Sequence, residues 1–214
     1  MLRAVALSTS ASRTPRTRKP RVLDEAAARA SLTPESWIDA ATDVLVDQGI
    51  DHVRVDVLAR TLGVTRGSFY WHFKDRQDLL QHVLQAWRVH ATEQVTYRFS
   101  NHESDPHALL RELISLPHRG RAAARAARIE LAIRAWARRD EMARQAVDEA
   151  DASRMSYQAQ VFTQLGFSIA EARLRAFVLY SYDVAESLLY RQGTPAQRRE
   201  RSEFVERLLL KRLD

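Results

Sequence analysis

Residues 55–74 hold the side chains whose types and spacing could do chemistry. Thr65, Arg66, Ser68, Tyr70, Trp71 and His72 gather hydrogen-bonding and aromatic groups around only two core-type phenylalanines, Phe69 and Phe73. A helix without a partner would not present so much polar and aromatic surface, whereas a phosphate backbone and base edges could use it. Gly67 stands among them, where glycine costs a helix about 1 kcal/mol relative to alanine. Close approach of the helix backbone to a bulky partner accounts for that cost. Catalysis has no comparable support. There is no Cys, the seven His are scattered without a His-Glu-x-x-His spacing, and neither a phosphate-cradling loop nor a nucleophile-base-acid set appears. The expectation is a binding protein and not an enzyme, with no cofactor and no metal.

These residues need two helices to position them. Ala59 is small where two helices must cross closely, Gly63 four residues later permits the turn, and Val64 fills the gap. Leu58, Leu62, Phe69 and Phe73 would share the core. The spacing points to a helix-turn-helix whose second helix enters a DNA major groove, with an ordinary helical hairpin as the alternative that the polar surface of the second helix disfavours.

The rest of the chain is read as all-α, with about nine helices. Thr33-Pro34, Asp105-Pro106 and Thr194-Pro195 each place a capping oxygen before a proline whose missing N–H costs nothing at the first helical position. Helices are expected over 34–48, 55–62 and 65–72, then in a long run opened by Asp75 with Leu80, Val83, Leu84, Trp87, Ala91 and Val95 inward. Further helices are expected over 105–116, 121–139 (burying Ala122, Ala126, Ile129, Ile133 and Trp136) and 141–165. The next follows Ser168, with Leu174, Phe177, Val178, Ser181, Val184, Ala185, Leu188 and Leu189 as its stripe, and the last begins at Thr194. On the first helix Asp39, Asp43 and Asp47 form a like-charge ladder, so that face must turn away from phosphate.

The 214 residues are 45% hydrophobic and 28% charged, enough for a buried core, and no stretch reaches the ~18 apolar residues of a membrane span. No membrane partner is expected, and the absence of Cys suits a reducing cytoplasm. The net charge of +6 is uneven. Residues 1–32 hold seven basic and two acidic side chains, whereas residues 33–82 hold five and eight. The first 32 residues read as a basic arm without a fold, with three roles open: tracking DNA phosphates, an organellar transit signal, or none. Three parts are expected: the arm over 1–32, the helix-turn-helix domain over 33–76, and a helical domain over 77–214.

The run from Ile38 to Leu80, with Leu62-Gly63-Val64-Thr65-Arg66-Gly67-Ser68-Phe69-Tyr70-Trp71-His72-Phe73-Lys74 at its centre, resembles the DNA-binding domain of TetR-family (tetracycline-repressor-like) transcriptional regulators. The resemblance implies a dimeric, ligand-released repressor on a pseudo-palindromic double-stranded operator, with an all-helical C-terminal domain for ligand and dimer. An activator or architectural DNA binder without a small ligand is the alternative. By position it implies that Thr65 caps the recognition helix and meets phosphate, that Arg66 and Ser68 face base edges, and that Gly67 allows the approach. Tyr70, His72 and Lys74 would clamp phosphates, with Arg54 adding another. Trp71 has two readings, contact with thymine methyl or sugar, or packing against the first helix; His72 can also be read as an ordinary surface histidine.

The resemblance also implies an inducer pocket for an unknown small molecule. Trp87, Trp136, Tyr157, Phe177 and Tyr180 are the candidate lining, with Glu130 and Arg134 as a pair beside it, although aromatic residues at helical spacing are more often core. The last two helices pair apolar stripes with charged backs, which suits a homodimer interface of four helices.

Overall fold

The computed structural model describes residues 32–93, 105–189 and 192–212. The basic arm expected over 1–32 lies, apart from Leu32, outside the described residues, as does Val95. The described residues form nine α-helices and no strand: α1 Pro34–Gln48, α2 Val55–Thr61, α3 Arg66–Phe69, α4 Arg76–Arg88, α5 Pro106–Ser115, α6 Gly120–Ala137, α7 Glu141–Gln164, α8 Ile169–Leu188 and α9 Pro195–Leu210. They belong to one compact unit, and the packing is continuous across residue 76.

Local chemistry sets most boundaries. The three prolines stand at the first turn of α1, α5 and α9, and Asp105 accepts from the backbone N–H groups of His107 and Ala108. Asp75 accepts from the Asp78 N–H at 2.9 Å, while Asp78 in turn accepts from the Lys74 N–H, so the start of α4 is capped from both sides. Two expectations are corrected. The third helix stops at Phe69 and gives way to a turn through His72, closed by the His72 N–H donating to the Phe69 carbonyl. The long helix opened by Asp75 changes to a π-helical segment, Val89–Glu93, which brings the buried Thr92 hydroxyl to Arg154 Nε at 3.1 Å.

Two apolar cores result. The first joins Trp37, Phe69, Leu79, Leu80, Val83 and Trp87 to Ile133, Trp136, Ala143 and Val147 of α6 and α7. The second joins Leu110 and Leu113 of α5 to Phe162, Phe167, Leu179 and Leu209. The α8 stripe is corrected as well. Its buried face is Ala172, Arg175, Ala176, Leu179 and Glu186, while Leu174, Phe177, Val178, Leu188 and Leu189 are exposed. The larger apolar side chains lie on the outer face, so hydrophobicity alone selects the wrong side. Phe204 and Leu208 of α9 are exposed too.

Candidate nucleic-acid interface and ligand cavity

In the N-terminal head, Trp37 of α1 meets Phe69 edge-on, with ring centroids 5.3 Å apart, and Phe69 leans on Phe73 at 5.4 Å. These rings fix α3 against α1. The turn from α2 to α3 needs Gly63, whose φ of 68° an L side chain rarely adopts, and the Val64 N–H closes it on the Ala59 carbonyl at 2.9 Å. Arg76 reaches back from α4 to donate to the carbonyls of Val53 (2.6 Å) and Ile50 (2.8 Å), tying the start of α2 to the long helix behind it. Sequence reading missed this role because nothing local marks an arginine that bonds 23 and 26 residues away.

The outward side of α3 and its following turn carries most of the expected DNA-facing residues. Thr65, Arg66, Gly67, Tyr70 and Lys74 are exposed, His72 is half-buried, and Trp71 is 87% exposed. Trp71 therefore does not pack against α1. Thr65 has the extended backbone of an N-cap, yet its side chain makes no capping hydrogen bond. Ser68 is corrected: only 7% exposed, it faces the core beside Phe69 and cannot reach base edges. Arg54 is exposed but bonded to Asp56 at 3.2 Å. Gly67 is informative. Its φ is not left-handed, and an added Cβ would meet nothing closer than Thr65 Oγ1 at 3.8 Å, so nothing inside the protein requires glycine there.

The acidic ladder of α1 does turn aside. Asp43 pairs with Arg125 at 2.8 Å and Asp47 with Arg128 at 2.6 Å, both on α6. Asp43 holds the Arg125 guanidinium above its ordinary pKa.

Where the two cores meet lies a cavity of about 470 Å³. Its walls are α4 (Val83, Ala86, Trp87), the alanine-rich face of α6 (Ala122, Ala123, Ala126, Ile129) and parts of α5, α7 and α8. Ala122 and Ala126, expected to be buried, are exposed because they face this opening. Of the candidate lining residues, Trp87, Glu130, Tyr157 and Tyr180 line it. Two do not. Trp136 lies nearer the end of α6 in the first core, and Phe177, 61% exposed, stands on the outer face of α8.

One end of the cavity is polar. Glu130 accepts from Arg154 at 3.0 and 3.1 Å, from Arg134 Nε at 2.9 Å and from Trp87 Nε1 at 3.2 Å. Arg134 also grips Asp151 through both terminal nitrogens at 3.0 and 2.6 Å, and Tyr180 accepts from Arg134 and donates to Asp151. Burial opposes the charges of Arg134 and Arg154, but their carboxylate partners outweigh it and raise both pKa values; burial pushes Tyr180 up to about 12. Glu130 is thus committed to the protein's own network. Arg154, Gln158 and Asp183 were missed because only depth distinguishes them from ordinary polar positions on a helix. Burial pushes the Asp183 carboxyl up to about 8, against the opposing hydrogen bond from Gln158 and the charge of Arg154.

The sequence profile of the bacterial regulatory proteins of the tetR family matches residues 38–83, which span α1, α2, α3 and most of α4. The reading head is a tetR-family domain. Among curated relatives, the HTH-type transcriptional regulator SrpR of Pseudomonas putida is 48% identical over 67 residues, 31% of either chain. Such likeness covers only part of the chain, which spans about a third of the length of SrpR and 49% of the length of TtgW from the same species. Likeness of fold reaches further. A transcriptional regulator from Rhodococcus sp. Rha1 superposes with a TM-score of 0.64 at 21% identity, covering 84% of this chain and 94% of that one. FadR of Bacillus subtilis, solved with stearoyl-CoA, does so with a TM-score of 0.60 at 19% identity, covering 85% and 100%. Among the described residues no helix is long and apolar enough to cross a membrane, and no group of His, Asp and Glu could hold a metal ion.

Proposed function

We propose that this chain is a dimeric transcriptional regulator that binds double-stranded DNA through α3 and its following turn and is released by a small molecule held in the cavity. The observation that carries the DNA reading is the surface around Gly67. An exposed glycine with no internal need stands among Arg66, Tyr70, Trp71 and Lys74, which leaves the backbone free to approach a partner and the side chains free to contact it. Arg66 would read guanine if it reaches one with both donors, and Tyr70, His72 and Lys74 would hold phosphates. The exposed apolar faces of α8 and α9 support a homodimer built from two copies of each helix. Two heads about 34 to 36 Å apart would then face successive major grooves of a pseudo-palindromic operator.

The cavity supports ligand response over a ligand-free architectural role. FadR was solved with stearoyl-CoA, and a Saccharomonospora viridis neighbour with choline, so the shared fold accommodates small molecules in those proteins. Here α4 and α6 both line the cavity and both hold the head, α4 through Arg76 and α6 through Arg125 and Arg128. A ligand that fits a different spacing of these helices would move the heads and weaken operator binding, provided it binds the released state more tightly.

The test begins with selection of a bound duplex from random-sequence DNA, followed by titration of wild type, Arg66→Ala and Lys74→Ala. Arg66→Ala should cost about 1–3 kcal/mol on the selected site and relax its sequence preference. Lys74→Ala should weaken all sequences alike and reduce the salt slope by about 0.9. Selection of no preferred sequence would refute the reading.

A further inference from the structure

The orphaned acceptors of the cavity indicate which ligand chemistry it takes. Asp183 Oδ1 and Gln158 Oε1 are buried and have no hydrogen-bond partner among the described residues, although each side chain is fixed by the Gln158 Nε2 to Asp183 Oδ2 bond at 2.9 Å. With Asp183 ionised, flipping the amide would set two oxygens against each other, so the ionised pair lacks a donor in either orientation. Buried acceptors left unmatched are costly, and a ligand that brings donors recovers that cost. The cavity's arginines offer no vacancy for an anion. Arg119 pairs with Glu112, Arg125 with Asp43, Arg134 with Asp151 and Arg154 with Glu130. Asp183 is the lining carboxyl whose bonded partner is only an amide, with Arg154 acting on it at a distance. Beyond this pair the walls are mainly apolar, formed by Val83, Trp87, Leu113, Ala126 and Ile129.

We propose that the cavity takes an amphipathic amine, whose protonated nitrogen donates to Asp183 Oδ1 and Gln158 Oε1 while its hydrocarbon body lies between the α6 alanines and Trp87. The volume of about 470 Å³ falls within the roughly 300–1,000 Å³ of small-molecule sites. This rests on the reading of the cavity as a ligand site and names the class of ligand.

The probes are three chains of equal length, decylamine, decanol and decanoate, titrated calorimetrically into the purified full chain without DNA. Decylamine should bind about ten- to hundredfold tighter than decanol, the range of a hydrogen bond to a charged group, and decanoate weakest of the three. In Asp183→Asn the advantage of amine over alcohol should disappear while decanol affinity is retained, which also reports that the variant is folded. Gln158→Met, similar in length but lacking the acceptor oxygen, should weaken the amine several-fold and leave decanol unchanged. Equal wild-type affinity for amine and alcohol overturns the proposal, as does an amine preference that survives Asp183→Asn or failure of all three probes to bind. Should decylamine bind as stated while operator affinity stays constant, the ligand class stands and the ligand-released function falls.

Discussion

The N-terminal head and the cavity region differ in where they keep polar groups. The head keeps nearly all its polar groups outside: Trp37, Phe69, Leu79 and Phe73 fill its centre, with Ser68 and the Trp37 Nε1 as its few buried polar groups, while Arg66, Tyr70 and Lys74 lie on its surface. The region behind it buries Glu130, Arg134, Asp151, Arg154, Gln158 and Asp183 around an opening. A filled, mainly apolar core holds a surface rigidly for a partner that arrives from outside. An open, polar interior is suited to a partner that enters, because each buried polar group not matched by the protein can be matched by a guest.

Phe69→Ala should break the head. Emptying the centre of the aromatic cluster is expected to cost about 3–5 kcal/mol in chemical denaturation and abolish DNA binding. Asp183→Asn should act in the opposite direction. A carboxyl raised to about 8 by burial stabilises the fold only while protonated; its contribution is lost as pH rises from about 3.9, its unfolded value, toward 8, then stays level. The melting temperature of Asp183→Asn should therefore exceed that of wild type by a margin that widens from pH 5 to pH 8, at roughly 2–4 °C per kcal/mol. A margin independent of pH would show that Asp183 does not titrate across that range. Arg76→Ala removes two bonds to backbone carbonyls and should cost about 1–3 kcal/mol, and it should also weaken DNA binding by loosening α2. Trp71→Ala sharpens the contrast: stability should hold within about 0.5 kcal/mol while operator affinity falls. The smallest effect is expected of Arg128→Ala. Its exposed pair with Asp47 is worth about 0–1 kcal/mol in a thermal melt and should vanish at high salt.

The two regions also differ in how far sequence discloses them. The caps at Asp75, Asp105, Ser168 and Thr194 and the turn at Gly63 are legible because each depends on neighbours within a few residues. The exposed surface of α3 is legible from its density of polar and aromatic types, yet Ser68 is misplaced, since one step around a helix separates surface from core. In the cavity region Trp87, Tyr157 and Tyr180 can be named as candidates by size, whereas Gln158 and Asp183 cannot. Their importance comes from depth and from bonds across 25 residues, which composition does not record. The reversal of α8 has a related cause. Its most hydrophobic side is the one without cover in a single chain, so amphipathicity points outward, toward the partner helix of the proposed dimer, and not inward to the core.

The division of labour on α6 constrains how this protein can change over generations. Its cavity side carries Ala122, Ala123 and Ala126 beside Ile129, and its neighbouring edge holds α1 through Arg125, which also lines the cavity, and Arg128. Alanine is the smallest side chain a helix accepts cheaply, since glycine costs about 1 kcal/mol more per position. At those three alanines the wall already stands at its widest, and ordinary mutation there can only narrow the chamber. Descendants of this chain can therefore become more selective by single substitutions at these alanines that leave the grip on α1 intact, while a broader appetite requires change elsewhere, at Ile129 or on another helix.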